Sequence, residues 1–147
     1  MYGALDISAS GLMAQRARLE VVSANVAKID SPVDPTKNPD DYRRQFAVMA
    51  PKMLRGADGV RRSVGVEVTE IGLDRSPFRK KYDPDNPFAA KVTDESKEQV
   101  VGYVNYPDIH WPTEMMNAYQ ATRLYEANIV AAEATKTMMA QALQLIA

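Results

Sequence analysis

All nine prolines of this 147-residue chain lie between Pro32 and Pro112. A proline inside a helix removes a backbone donor and clashes with the turn before it, so only the two ends can form long uninterrupted helices. The chain therefore divides into an N-terminal helical segment, residues 1–31, an irregular and hairpin-rich middle, residues 32–110, and a C-terminal helical segment, residues 111–147. The expected fold is mainly α with a small β-rich middle, its long terminal helices forming a coiled-coil-like core.

Each end carries the periodicity such helices need. Leu5, Leu12, Leu19 and Val26 recur every seven residues, with Val22 and Ile29 on a neighbouring position. This is coiled-coil spacing and predicts a helix over 7–29. Gly11 weakens it by about 1 kcal/mol relative to alanine. At the other end Pro112 suits a first helical position, Glu114 complements the helix dipole, and neither Gly nor Pro follows, so a helix over 113–145 is predicted. Met115, Ala118, Thr122, Tyr125, Ile129, Ala132, Lys136, Met139, Leu143 and Ile146 alternate spacings of three and four, forming one seam that Thr122 and Lys136 interrupt. Leu124, Ala131, Met138 and Leu145 form a second row. An apolar surface wider than one seam exceeds what a single partner helix covers. No charged residue follows Lys136, which would make an exposed tail an association hazard. The candidate assembly interface is therefore Leu5, Leu12, Leu19, Val22 and Val26 on the first helix, and Met115, Ala118, Tyr125, Ile129, Ala132, Met138, Met139, Leu143 and Ile146 on the last. The last helix would span about 50 Å, against a radius of gyration of about 15 Å for a compact chain of this length, so it should project. Long helices in water owe most of their stability to packing, and both ends should be partly disordered before assembly.

In the middle, Phe46, Val48 and Ala50 alternate with their neighbours, as do Val64, Val66 and Val68, and Asp58-Gly59 between them signals a turn. A hairpin follows. Residues 74–86 are rich in turn formers and 88–99 read as a polar surface excursion, while 100–106 should be a short extended piece.

Composition narrows the function. Lys plus Arg number 18 against 19 for Asp plus Glu, leaving no excess positive charge for a phosphate backbone, so nucleic acid is not an expected partner. Without cysteine, disulfides and thiolate metal sites are excluded. His110 is the single histidine, too few for a zinc site or a triad, and it reads as a packed or capping residue. Asp83, Asp85 and Asn86 loosely mimic a calcium loop, but Pro84 and Pro87 break it and the later ligands are missing. Tyr42-Arg43-Arg44-Gln45 and Arg79-Lys80-Lys81 read as surface or ion-pair partners. No phosphate loop or nucleophile elbow is present. The expectation is a non-enzyme with no cofactor, metal or small-molecule substrate, and with no Sec signal or membrane span. Two rivals are a hydrolase built on Asp83 or Asp108 with His110, and a helical adaptor or export chaperone.

The order of several short segments resembles the bacterial flagellar rod and hook family, and most closely its basal-body rod proteins of the proximal rod. At the N-terminus these are Ser10-Gly11-Leu12, Ala14-Gln15, Asn25 and Ala27, with Lys28 where the family pattern usually has asparagine. In the middle they are Tyr42-Arg43-Arg44-Gln45, Ser76-Pro77-Phe78, Tyr82-Asp83-Pro84, Gly102-Tyr103-Val104 and Tyr106-Pro107. At the C-terminus they are Glu114-Met115, Ala121, Arg123, Tyr125, Ala127-Asn128, Lys136 and Met138-Met139. The resemblance implies a structural subunit of a tubular assembly, with the terminal helices inside and the middle outside. It implies as partners other copies of the chain, other flagellar rod proteins, the inner-membrane ring with a rod-base adaptor, and the flagellar type III export apparatus. It also implies a place in the rod that crosses the periplasm. Another axial subunit of the flagellum is the nearest alternative.

Overall fold

The structure, a computed structural model, describes residues 2–55, 59–91, 93, 95 and 100–146, the side chains of residues 2 and 146 excepted. Helix α1 runs Tyr2–Lys28, a 3-10 turn spans Pro39–Tyr42, strands follow at β1 Gln45–Arg55, β2 Arg61–Leu73, β3 Arg79–Tyr82 and β4 Tyr103–Tyr106, and α2 runs Trp111–Ile146. Two long helices thus flank a small β-rich middle. Helix α1 starts five residues ahead of its expected range and stops one short of it, at Lys28, while α2 overruns its expected range by two residues at the start and one at the end.

The strands form two separate two-stranded sheets, β1 with β2 and β3 with β4. The first is the expected hairpin, with strands of 11 and 13 residues. Consecutive strands joined by so short a connection pair antiparallel. Of the predicted turn, Asp58 lies outside the described residues, while Gly59 has φ 76, the left-handed region that glycine tolerates best. Strand β3 corrects the reading of 74–86 as turn alone. Arg79-Lys80-Lys81-Tyr82 has no apolar alternation, and it is a strand because its backbone pairs antiparallel with β4, Arg79 opposite Tyr106 and Tyr82 opposite Tyr103. The extended piece over 100–106 is likewise shorter than expected. Gly102 at φ 76 turns the chain just ahead of β4. Part of the 88–99 excursion is tied down too: the N–H of Ala90 donates to the carbonyl of Tyr103, and that of Gly102 to the carbonyl of Ala90. Residues 92, 94 and 96–99 of the excursion lie outside the described residues.

The chain falls into two compact units, one of residues 1–20, 47–71 and 117–147, the other of 21–46 and 72–116. In the first, Arg18 on α1 donates to Asn117 and Gln120 on α2, and a Cβ added at Gly11 would meet the Asn128 side chain at 2.8 Å. Moving back along α1 moves forward along α2, so the helices are antiparallel. Ala14 and Ala121 are buried there. In the second unit the core is Val21, Val22, Val33, Phe78, Val104 and Ile109, with Val104 fully buried.

Candidate assembly interface

In the second unit one polar cluster joins three elements. Asn25 and Glu114 are both fully buried. The Asn25 side-chain amide donates to the Gln45 carbonyl at 2.8 Å and accepts from the Gln45 N–H at 2.9 Å. It thereby pairs with the first residue of β1 as a neighbouring strand would. The same Nδ2 also donates to Glu114 Oε2 at 3.1 Å. The other carboxylate oxygen, Oε1, accepts from Arg44 Nε and Nη2, each at 2.8 Å. A buried carboxylate is tolerated only when paired and hydrogen-bonded, and here both oxygens are engaged. From sequence Glu114 reads as a dipole partner and as part of a family segment. Its tertiary role depends on Arg44, seventy positions away, which no local pattern reveals.

Around the cluster, Arg43 donates to Asp40 at 3.1 Å and to the Ser76 carbonyl at 2.8 Å, and its guanidinium lies 4.6 Å from the Phe78 ring centroid. Arg43 and Arg44 are therefore ion-pair partners, as their sequence suggested. Asp74 accepts from the Ser76 hydroxyl and N–H. These bonds, the hydroxyl foremost, hold its carboxyl below the ordinary 3.8, with Arg44 and Arg43 adding to the effect.

In the first unit the contact is between α1 and its neighbours. Ser10 is buried, its hydroxyl donating to the Ile7 carbonyl at 2.7 Å and accepting from the Val66 N–H at 3.1 Å. Gly65, at φ 138, lies so close that an added Cβ would fall 2.1 Å from Ser10 Oγ. Strand β2 and α1 are thus in backbone-level contact, and Gly11 plays the same part toward α2.

The covered stripe of α2 runs through Ala118, Ala121, Tyr125, Asn128, Ala132, Thr135, Met139 and Ala142, at alternating spacings of four and three. Within the single chain this stripe coincides only in part with the predicted seam. Ala118, Tyr125, Ala132 and Met139 belong to it and Met115 is half-buried, but Ile129 and Leu143 are exposed, as are Thr122 and Lys136. The small residues Ala118, Ala121 and Ala132 let the helices approach closely, and they turn α2 by about one residue relative to a seam chosen by hydrophobicity. Met138 belongs to the second row, and Leu124, Ala131 and Leu145 with it are all exposed. Ile146 is helical, its side chain lying outside the described atoms. On α1, Val22 is buried and Leu5, Leu12, Leu19 and Val26 are half-buried.

The residues of the rival hydrolase do not converge on an enclosed site. His110 Nε2 stands 3.7 Å from Asp108 Oδ1 with its side chain 73% exposed, and Asp83 accepts from Asn86. Among the described residues no three His, Cys, Asp or Glu side chains are grouped to hold a metal.

A family model described as Flagella basal body rod protein matches residues 5–30. Across nearly the whole chain, the flagellar basal-body rod protein FlgC of Borreliella burgdorferi is 32% identical, with 99% of this chain and 97% of that protein covered. FlgC of Bacillus subtilis is 34% identical, covering 98% and 97%, and that of Agrobacterium fabrum 34%, covering 99% and 95%. The chain belongs to the FlgC family of flagellar basal-body rod proteins.

Several residues of the segments that resemble the rod family make the contacts above. Ser10 and Gly11 are the α1 residues against β2 and α2. Asn25, Arg44, Gln45 and Glu114 are the polar cluster. No helix among the described residues is long and apolar enough to cross a membrane.

Proposed function

We propose that the chain is a structural subunit of the bacterial flagellar basal-body rod, in its proximal part, assembling with itself and with other rod proteins through the terminal helices to transmit torque. The near full-length likeness to FlgC proteins carries this reading. The exposed apolar rows of α2 support the assembling role, because Leu124, Val130, Met138, Leu143 and Leu145 are all left to solvent in the single chain, more than a free subunit keeps without association. The terminal helices would form a coiled-coil-like inner layer of a tube, with the β-rich middle outside. The mechanism is mechanical: many packed contacts resist twist, and no bond is made or broken. The inner-membrane ring with its rod-base adaptor would be met at one end, and the flagellar type III export apparatus would deliver the chain without a cleaved Sec signal.

Deletion of the gene with complementation tests this reading. Loss of motility and of rods beyond the membrane ring, both restored by the full chain, is the expected result. Intact rods in the deletion strain would overturn it.

A further inference from the structure

Strand β3 has an edge that the fold leaves open, and the register shows which groups stand on it. In an antiparallel pair, opposed residues alternate between bonding each other and pointing their backbone groups away. The carbonyls of Tyr103 and Asn105 accept from Ala90 and Val33, so these two β4 residues face away from β3. Their partners Tyr82 and Lys80 therefore turn their own N–H and C=O groups outward on the opposite edge. The Asp83 N–H, donating to the Gly102 carbonyl, fits the same alternation, and Arg79 and Lys81 complete the ladder to β4. The far edge of β4 is thus taken up by the chain itself. Strand β3 instead offers the backbone groups of Lys80 and Tyr82 to a further strand, and all four of its residues are exposed. Tyr82 holds the edge in place, its ring edge-on to Tyr103 at 5.2 Å and so close to Gly102 that an added Cβ would meet it at 2.8 Å.

Charge says what can join this edge. Arg79, Lys80 and Lys81 are consecutive, and among the described residues none of them forms an ion pair. Side chains alternate across a strand, so Lys80 stands on one face and Arg79 and Lys81 on the other. Lysines on an edge strand repel a second edge, and the β3 edges of two copies would oppose like charges. No described strand of the chain supplies the opposite sign. Lys52 and Arg55 make β1 basic, Arg61 and Arg62 balance Glu67 and Glu70 on β2, and β4 is uncharged. The complement to β3 is an acidic strand from elsewhere.

We infer that the outer edge of β3 binds, by strand addition, an extended acidic segment of a protein other than this chain. Backbone bonds to Lys80 and Tyr82 fix its register, while its carboxylates meet Lys80 on one face and Arg79 and Lys81 on the other. The inference goes beyond the rod-subunit reading and does not depend on it.

Amide hydrogen exchange in the full chain, followed by NMR, tests this with an added capped peptide of alternating Glu and Val and with its Lys–Val counterpart. The Glu–Val peptide is expected to slow exchange at the amides of Lys80 and Tyr82 by about tenfold or more, with little change at Arg79 and Lys81, which are already bonded to β4. The Lys–Val peptide should leave all four as they are. Charge reversal by Lys80→Glu with Lys81→Glu should exchange the effects of the two peptides. Should that variant not fold, a Glu–Val peptide N-methylated at alternate residues decides on the wild-type chain, because it lacks the donors that strand addition needs. Loss of protection at both amides is then expected. Protection by both unmethylated peptides alike, by neither, or undiminished with the methylated one overturns the inference and leaves the cations as a guard against edge pairing. A folded reversal variant that still prefers Glu–Val overturns it too.

Discussion

At the scale of residues, a few polar and glycine contacts tie the helices to the strands. Glu114 is the sharpest case. Arg44→Met leaves its carboxylate buried without its cation, and a loss of about 3–5 kcal/mol is expected in urea unfolding. Asn25→Ala strands the Gln45 backbone groups and should cost about 1–3 kcal/mol. Equal urea midpoints for wild type and either variant would show that the cluster does not stabilise the fold. Gly65→Ala should cost a similar 1–3 kcal/mol, roughly, since its Cβ would overlap Ser10. Asp74 gives a pH signature. Its folded carboxyl titrates below 3.8, so its contribution is complete above that value and is lost as pH falls through the lowered one. Asp74→Asn should therefore be less stable than wild type at neutral pH, with the gap narrowing below about pH 3.8. A gap that stays constant into acid would contradict the assignment.

At the scale of elements, the α1–α2 seam is the part that admits least change. Ala132 sits half-buried within it, and Ala132→Trp forces a large ring where the helices approach closely, so no rods carrying the variant are expected in isolated basal bodies. Normal incorporation would show that the seam is not an assembly determinant. The helices themselves were legible because proline placement and heptad spacing are local signals. The hairpin was legible from Phe46, Val48, Val64 and Val68, though not its length, since the flanking Lys52, Arg55, Arg61 and Arg62 are exposed and leave no alternation to read. Strand β3 was not legible at all. Its four residues are exposed and its existence depends on the backbone of β4. The seam of α2 was displaced for a related reason: ranking positions by hydrophobicity selects Ile129 and Leu143, whereas close packing selects Ala121 and Asn128. Of the candidate site, the apolar rows were visible in sequence, but the Asn25–Glu114–Arg44 cluster was not, because it unites residues from three distant segments.

At the scale of the whole molecule, the exposed apolar end of α2 and the FlgC likeness agree on a chain that assembles with other rod components. Each helix contributes residues to both compact units. A member of the FlgC family is expected in the rod itself. Electron microscopy of basal bodies isolated from cells carrying a tagged full-length chain tests it most directly. Label is expected on the rod next to the inner-membrane ring, in repeated copies around its axis; label confined to the cytoplasmic export apparatus, or absent from basal bodies that have complete rods, would rule that placement out.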